Sequence, residues 1–147
     1  MLVNPMLSLL GFSIWTLATL LVTVGGYRWT MILSGRQPIT SFAADDGHGP
    51  AWYRRAIRAH ANCVENLPLF IVAVLVNGGG STQSFAVSAL CMLVFSARII
   101  QTLAHVLLNP TSFGIWIRFL AFLTQIIAIA TLFIIGATRF MSQEIAL

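Results

Sequence analysis

The chain reads as an all-α membrane protein, a bundle of four transmembrane helices, and two observations predict it. Of its 147 residues, 58% are drawn from AVILMFWYC and only 8% are charged, with a mean hydropathy of +0.88, whereas a soluble domain carries about 25% charge. That composition excludes a water-soluble fold. The second observation is the distribution: the apolar residues gather in four segments, each long enough to cross a hydrocarbon core of about 30 Å as a helix. Residues 1–147 are therefore expected to form one transmembrane domain, with little chain left for a soluble one.

The first span is expected over residues 7–33. The preceding MLVNPM has no positive charge and no small-residue cleavage site follows, so the segment reads as a retained span rather than a signal peptide. Thr16, Thr19, Thr23 and Gly26 form a stripe of small residues suited to close helix packing. The break at 34–53 contains Pro38, Gly47, Gly49 and Pro50, which is turn chemistry. Asp45, Asp46 and His48 in that break lack the further ligands that would complete a coordination shell, so no metal site is expected. The second span covers 56–76, the third 85–108 and the fourth 115–137, joined by the short loops NGGGSTQ and NPTSFG. Cys63 and Cys91 lie in apolar stretches without CxxC spacing and read as packing residues. Trp29, Trp52 and Trp116 suit the membrane interface, while Trp15 falls well inside a span. There is no internal repeat and no GxSxG, HExxH, P-loop or GxGxxG motif.

All eight basic residues are arginine, four residues are acidic, and the net charge is +4 with a pI near 10.1. These arginines form no continuous patch, which argues against a nucleic-acid partner. Their placement carries topology instead. Arg28, Arg36, Arg54, Arg55 and Arg58 flank or occupy the first loop, Arg118 flanks the third, the second loop is uncharged, and Arg139 stands almost alone beside Glu144. Because cytoplasmic loops retain basic residues, loops one and three are expected in the cytoplasm and both termini outside.

Charge inside the spans points to a site. On the second span Arg55, Arg58, Asn62 and Glu65 recur at helical spacing, and on the third Arg98, Gln101, Thr102 and His105 do the same. Charged groups at bilayer depth cost several kcal/mol each and persist where they are paired or face a wet cavity. Counting about 1.5 Å per residue from the cytoplasmic edge, Glu65 and Arg98 both lie about 15 Å deep. Antiparallel neighbours would then pair Glu65 with Arg98, Asn62 with Gln101, and Arg58 with His105, as one wall of a cavity open to the cytoplasm. A purely structural ladder is the weaker reading, since a buried ion pair is a poor source of stability.

The string Arg55-Ala-Ile-Arg58-Ala-His60-Ala-Asn62-Cys63-Val-Glu65-Asn66-Leu-Pro68-Leu-Phe70 closely resembles the second-span signature of the MAPEG superfamily, the membrane-associated proteins of eicosanoid and glutathione metabolism. The likeness extends over nearly the whole chain and suggests a bacterial-type member. It implies a homotrimer that binds glutathione between adjacent subunits near the cytoplasmic side, with a lipophilic electrophile arriving from the bilayer. Carried over residue by residue, Arg58, His60, Asn62 and Glu65 fall on glutathione-contacting positions and Arg98 on the buried third-helix arginine. Gln101 and His105 stand where members often carry Tyr or another aromatic or hydroxyl residue. Arg36, or alternatively Arg28, matches the basic residue ending the first span.

The sequence departs from the pattern in two places. Ser112, Phe113 and Gly114 occupy the stretch where thiol-activating members carry an arginine, and Asn66 replaces a frequent Tyr. A mouth lined by Arg36, Arg55 and Arg58 suits the carboxylates of glutathione, and Glu65 its amine or amide. A thiol needs a nearby cation or donor to become a thiolate, and Arg118 and His105 are the two candidates. The expected activity is transfer of glutathione to a lipophilic electrophile, or reduction of a lipid hydroperoxide. The alternatives are a non-catalytic protein of the same fold that binds another small anion or a protein partner, and an intramembrane proton or ion carrier.

Overall fold

A computed structural model of the chain describes residues 4–42, 49–79 and 84–144. Asp45, Asp46 and His48, and most of the second loop, lie outside the described residues. Four long helices are present: α1 (Pro5–Leu33), α2 (Ala51–Val76), α3 (Phe85–Leu107) and α4 (Ser112–Glu144). All four are long and apolar enough to cross a membrane, and no strand occurs among the described residues.

Local chemistry sets the ends. Asn4 caps α1 by accepting from the Met6 N–H at 2.9 Å, and Pro5 occupies the first turn, where a missing N–H costs nothing. The C-terminal ends of α1 and α2 pass into Gly35 (φ +67°) and Gly78 (φ +92°), a backbone region that glycine enters without strain. Most helix ends fall within three residues of the expected span ends, and two differ by more. Helix α2 begins at Ala51, because Pro50 is a favourable residue just outside a helix start and the arginines that follow are good helix formers. Helix α4 runs on to Glu144, past the apolar run that defined the span.

Helix α1 is not uniform. Leu20–Gly25 form a π-helical turn, and the threonine stripe bonds back onto the helix: Thr16 donates to the Phe12 carbonyl at 2.9 Å and Thr19 to that of Trp15 at 2.8 Å. Such back-bonding loosens the ladder, and Gly25 and Gly26 follow directly. The wider turn changes the phase of the helix and brings Val24 and Tyr27 against Tyr53 and Ala56 at the start of α2.

Helix α3 packs against all three others, most extensively against α4, and α2 also touches the other three. Their shared core contains Phe12, Cys63, Phe70, Val74, Val87, Cys91, Val94 and Leu132. Both cysteines are free and buried. Pro68 stands inside α2 and leaves the Val64 carbonyl without its helical donor.

Candidate functional site

The helix termini that meet at one end of the bundle are the start of α2, the end of α3 and the start of α4. The last carbonyls of a helix are short of intrahelical donors, and two arginines from the neighbours of α3 donate to the carbonyls at its end. Arg55 donates through Nε to the His105 carbonyl at 3.0 Å and through Nη2 to that of Val106 at 3.4 Å. Arg118 donates through Nε to the Ala104 carbonyl at 3.1 Å and through Nη2 to that of Leu108 at 2.6 Å. Cations at a helix C-terminus also oppose its dipole. The tight α3 to α4 turn that allows this needs Gly114, since a Cβ there would lie 2.8 Å from the Asn109 carbonyl.

Beside these caps lies a pocket of about 380 Å³ lined by Asn62, Gln101, His105, Ile115, Arg118, Phe119 and Phe122. One wall is polar and comes from three helices. The other is apolar and comes from exposed residues of α4, with Phe119 and Ile115 both more than half exposed. Arg118 lines the pocket, and its Nη1 makes no hydrogen bond among the described residues.

Among the described residues the three expected rungs are not formed. Arg98 has no exposed surface, its Nε, Nη1 and Nη2 have no hydrogen-bond partner, and the guanidinium carbon sits 5.4 Å from the centroid of the Phe12 ring. Glu65 instead faces outward and is exposed, and the expected ion pair is absent among the described residues. The reason is rotational: Asn66 and Cys63 take the inward face of α2, which turns Glu65 away from α3. Gln101 lines the same pocket as Asn62 but makes no hydrogen bond to it among the described residues, and accepts instead at 3.0 Å from Nε2 of Gln125 on α4. Arg58 is exposed on the same outward side as Glu65 and makes no hydrogen bond to His105 among the described residues.

The remaining candidates are spread more widely. His60 is half-buried with its Nδ1 enclosed and unpartnered, and Arg36 is exposed just beyond α1. Arg28 donates through Nε to the Tyr53 hydroxyl at 2.7 Å and lies 5.6 Å from the centre of the Phe42 ring, within a cluster of Tyr27, Phe42, Trp52 and Tyr53. The pocket thus unites Asn62, Gln101, His105 and Arg118, while Arg55 holds the helix end, Arg58 and Glu65 face outward, and Arg98 lies in the core. Sequence reasoning missed Gln125. A lone glutamine in the apolar run of the fourth span is the signal that would have found it.

The sequence profile of the MAPEG family matches residues 6–138, a stretch that reaches into all four helices. The chain belongs to the MAPEG family. No curated protein matches the sequence in the corresponding comparison. As a MAPEG protein it is an integral, multi-pass membrane bundle, and its family places it in membrane glutathione-related or eicosanoid metabolism.

Proposed function

We propose that this MAPEG protein is a glutathione-dependent transferase or peroxidase acting on lipophilic electrophiles. The observation that carries the reading is the pocket in which Arg118, His105, Gln101 and Asn62 face Ile115, Phe119 and Phe122. A polar wall rich in N–H donors suits an anionic, acceptor-rich peptide, and an apolar wall on the lipid side suits a hydrocarbon substrate. Glutathione, when bound, supplies the nucleophilic sulfur. Arg118 is held rigid by the Ala104 and Leu108 carbonyls, which leaves Nη1 as a fixed donor for developing negative charge at sulfur. His105 is the second candidate for that role, as acceptor of the thiol proton.

Arg58 and Glu65 complete the reading from outside the pocket. Both are exposed on a membrane span, a costly arrangement against lipid, so this face of α2 is best served by a neighbouring copy in a homotrimer. The cationic and anionic groups there match the carboxylates and ammonium of glutathione, and Arg36 and Arg55 add positive charge at the same end. Concentration of arginine at this end supports a cytoplasmic position for it, with both termini outside.

A second reading, a MAPEG-fold protein that binds without catalysis, is favoured by Ser112, Phe113 and Gly114 in place of a thiol-activating arginine. Calorimetric titration of the detergent-purified protein with glutathione, together with a conjugation assay on an aryl halide, separates the two. Binding with turnover is expected. Binding without turnover favours the second reading, and absence of glutathione binding overturns the first.

A further inference from the structure

Gln125 belongs to no motif of the sequence, yet it lies at the middle of α4 with no exposed surface. Its Nε2 donates at 2.9 Å to the Ala121 carbonyl and at 3.0 Å to Oε1 of Gln101, while its own Oε1 is enclosed without a donor. These two bonds fix both amides by elimination. A backbone carbonyl only accepts, so the end of Gln125 that faces Ala121 is its NH2. An NH2 only donates, so the end of Gln101 that meets it is its oxygen. The NH2 of Gln101 is left over, and Gln101 lines the pocket.

We infer that Gln125 is a positioning residue that holds Gln101 as a hydrogen-bond donor into the pocket, so that the pocket selects lipophilic electrophiles carrying an oxygen acceptor. Carbonyl compounds, epoxides and hydroperoxides are in this class, and a simple alkyl or benzyl halide is not. The enclosed Oε1 supports a role beyond packing, because an unpaired polar atom at this depth disfavours glutamine against leucine. The acceptor would sit beside Gln101 with its hydrocarbon against Ile115, Phe119 and Phe122. For an enone, the C–S bond forms at the β-carbon and the π electron pair moves to the carbonyl oxygen, where the Gln101 N–H meets the charge. The proton lost by the thiol then completes the adduct. In its catalytic consequence the inference rests on the glutathione reading above, whereas the donor orientation does not.

Two measurements on the full chain in detergent test it. In the first, kcat/KM with glutathione is measured for an enone and for a benzyl chloride of similar size. Gln125→Leu is expected to lower the enone to benzyl chloride ratio about tenfold, the size of one lost hydrogen bond to developing charge. An unchanged ratio, with both substrates falling together, marks Gln125 as merely structural and overturns the inference. In the second, the Gln101 side-chain amide is followed by 15N NMR and assigned by its loss in Gln101→Leu. It is expected to shift with a saturated long-chain ketone and not with the matching alkane, and to lose that response in Gln125→Leu. A ketone response in a wild-type protein that conjugates neither substrate keeps the donor wall and sinks the glutathione reading. No ketone response, or one equally strong without Gln125, overturns the inference. Gln125→Met, which matches glutamine in length, carries the same comparison if the leucine variant does not fold, and the wild-type ketone response needs no variant.

Discussion

At the scale of single residues, two arginines meet the membrane in opposite ways. Arg118 spends two nitrogens on the Ala104 and Leu108 carbonyls, the first of which also accepts from the Leu108 N–H, so on the reading proposed above its removal weakens both the helix end and the chemistry. Arg118→Met is expected to destabilise the protein by roughly 1–3 kcal/mol and to lower conjugation by about a hundredfold or more. Arg118→Lys should recover little of the activity, because a point charge cannot hold two carbonyls and still present a fixed donor. Denaturation in detergent and steady-state kinetics read the two effects separately. Arg98 is the reverse case: its guanidinium is enclosed against Phe12 without a hydrogen-bond partner. A buried ion carries a desolvation penalty of several kcal/mol that only a partner offsets, so Arg98→Met should not lower the denaturation midpoint. Because Glu65 points away, Glu65→Gln and Arg98→Met should add to within about 0.5 kcal/mol. A larger coupling in a double-mutant cycle would restore the ion pair that this fold does not form.

At the scale of helices, close approach at the end opposite the pocket depends on one residue without a side chain. A Cβ on Gly136 would lie 2.6 Å from Cγ2 of Val76 and 3.3 Å from Nδ2 of Asn77. That Nδ2 donates to the Ala73 carbonyl at 2.9 Å and to the Leu132 carbonyl at 2.8 Å, tying α2 to α4. Gly136→Ala should therefore cost about 1–3 kcal/mol through overpacking, despite alanine's higher helix propensity, and the denaturation midpoint in detergent will show the sign. The same scale explains what the sequence made legible. Hydropathy and length located all four spans, and Arg58, Asn62 and Glu65 do lie on one helix, α2. Spacing does not say how far each helix is turned about its own axis, and there the rungs failed: Cys63 and Asn66 took the inward face that Glu65 was expected to share. The π turn at Leu20–Gly25 was equally hidden, because it arises from competition between threonine hydroxyls and the backbone. The polar wall was half legible, since Asn62, Gln101, His105 and Arg118 all stood out, whereas Gln125 carried no motif.

At the scale of the molecule, the isolated chain exposes more surface than its mass requires. Its accessible area is 8944 Å², against about 7,400 Å² for a compact soluble monomer of 16.0 kDa. Much of the excess is apolar and suits lipid, such as Leu10, Ile14, Leu17 and Leu21 along α1. Trp29, Trp52 and Trp116 all lie near the pocket end, where indole rings favour a membrane interface. The outward face of α2 is different in kind. It carries Arg58 and Glu65 alongside Val64, Leu69 and Val72, and lipid is a poor neighbour for the first two, whereas a second copy can supply both charge and packing. The protein in mild detergent is therefore expected to run at three times the 16.0 kDa chain mass in native mass spectrometry. Arg58→Leu with Glu65→Leu should preserve the fold, because neither side chain is enclosed in the core, but abolish calorimetric glutathione binding. A monomeric mass would show that this face meets lipid after all, and unaltered binding by the double variant would place the peptide away from it. Either result would leave the pocket of Asn62, Gln101, His105 and Arg118 to act within one subunit, with Arg118 as its only guanidinium among the residues that line it.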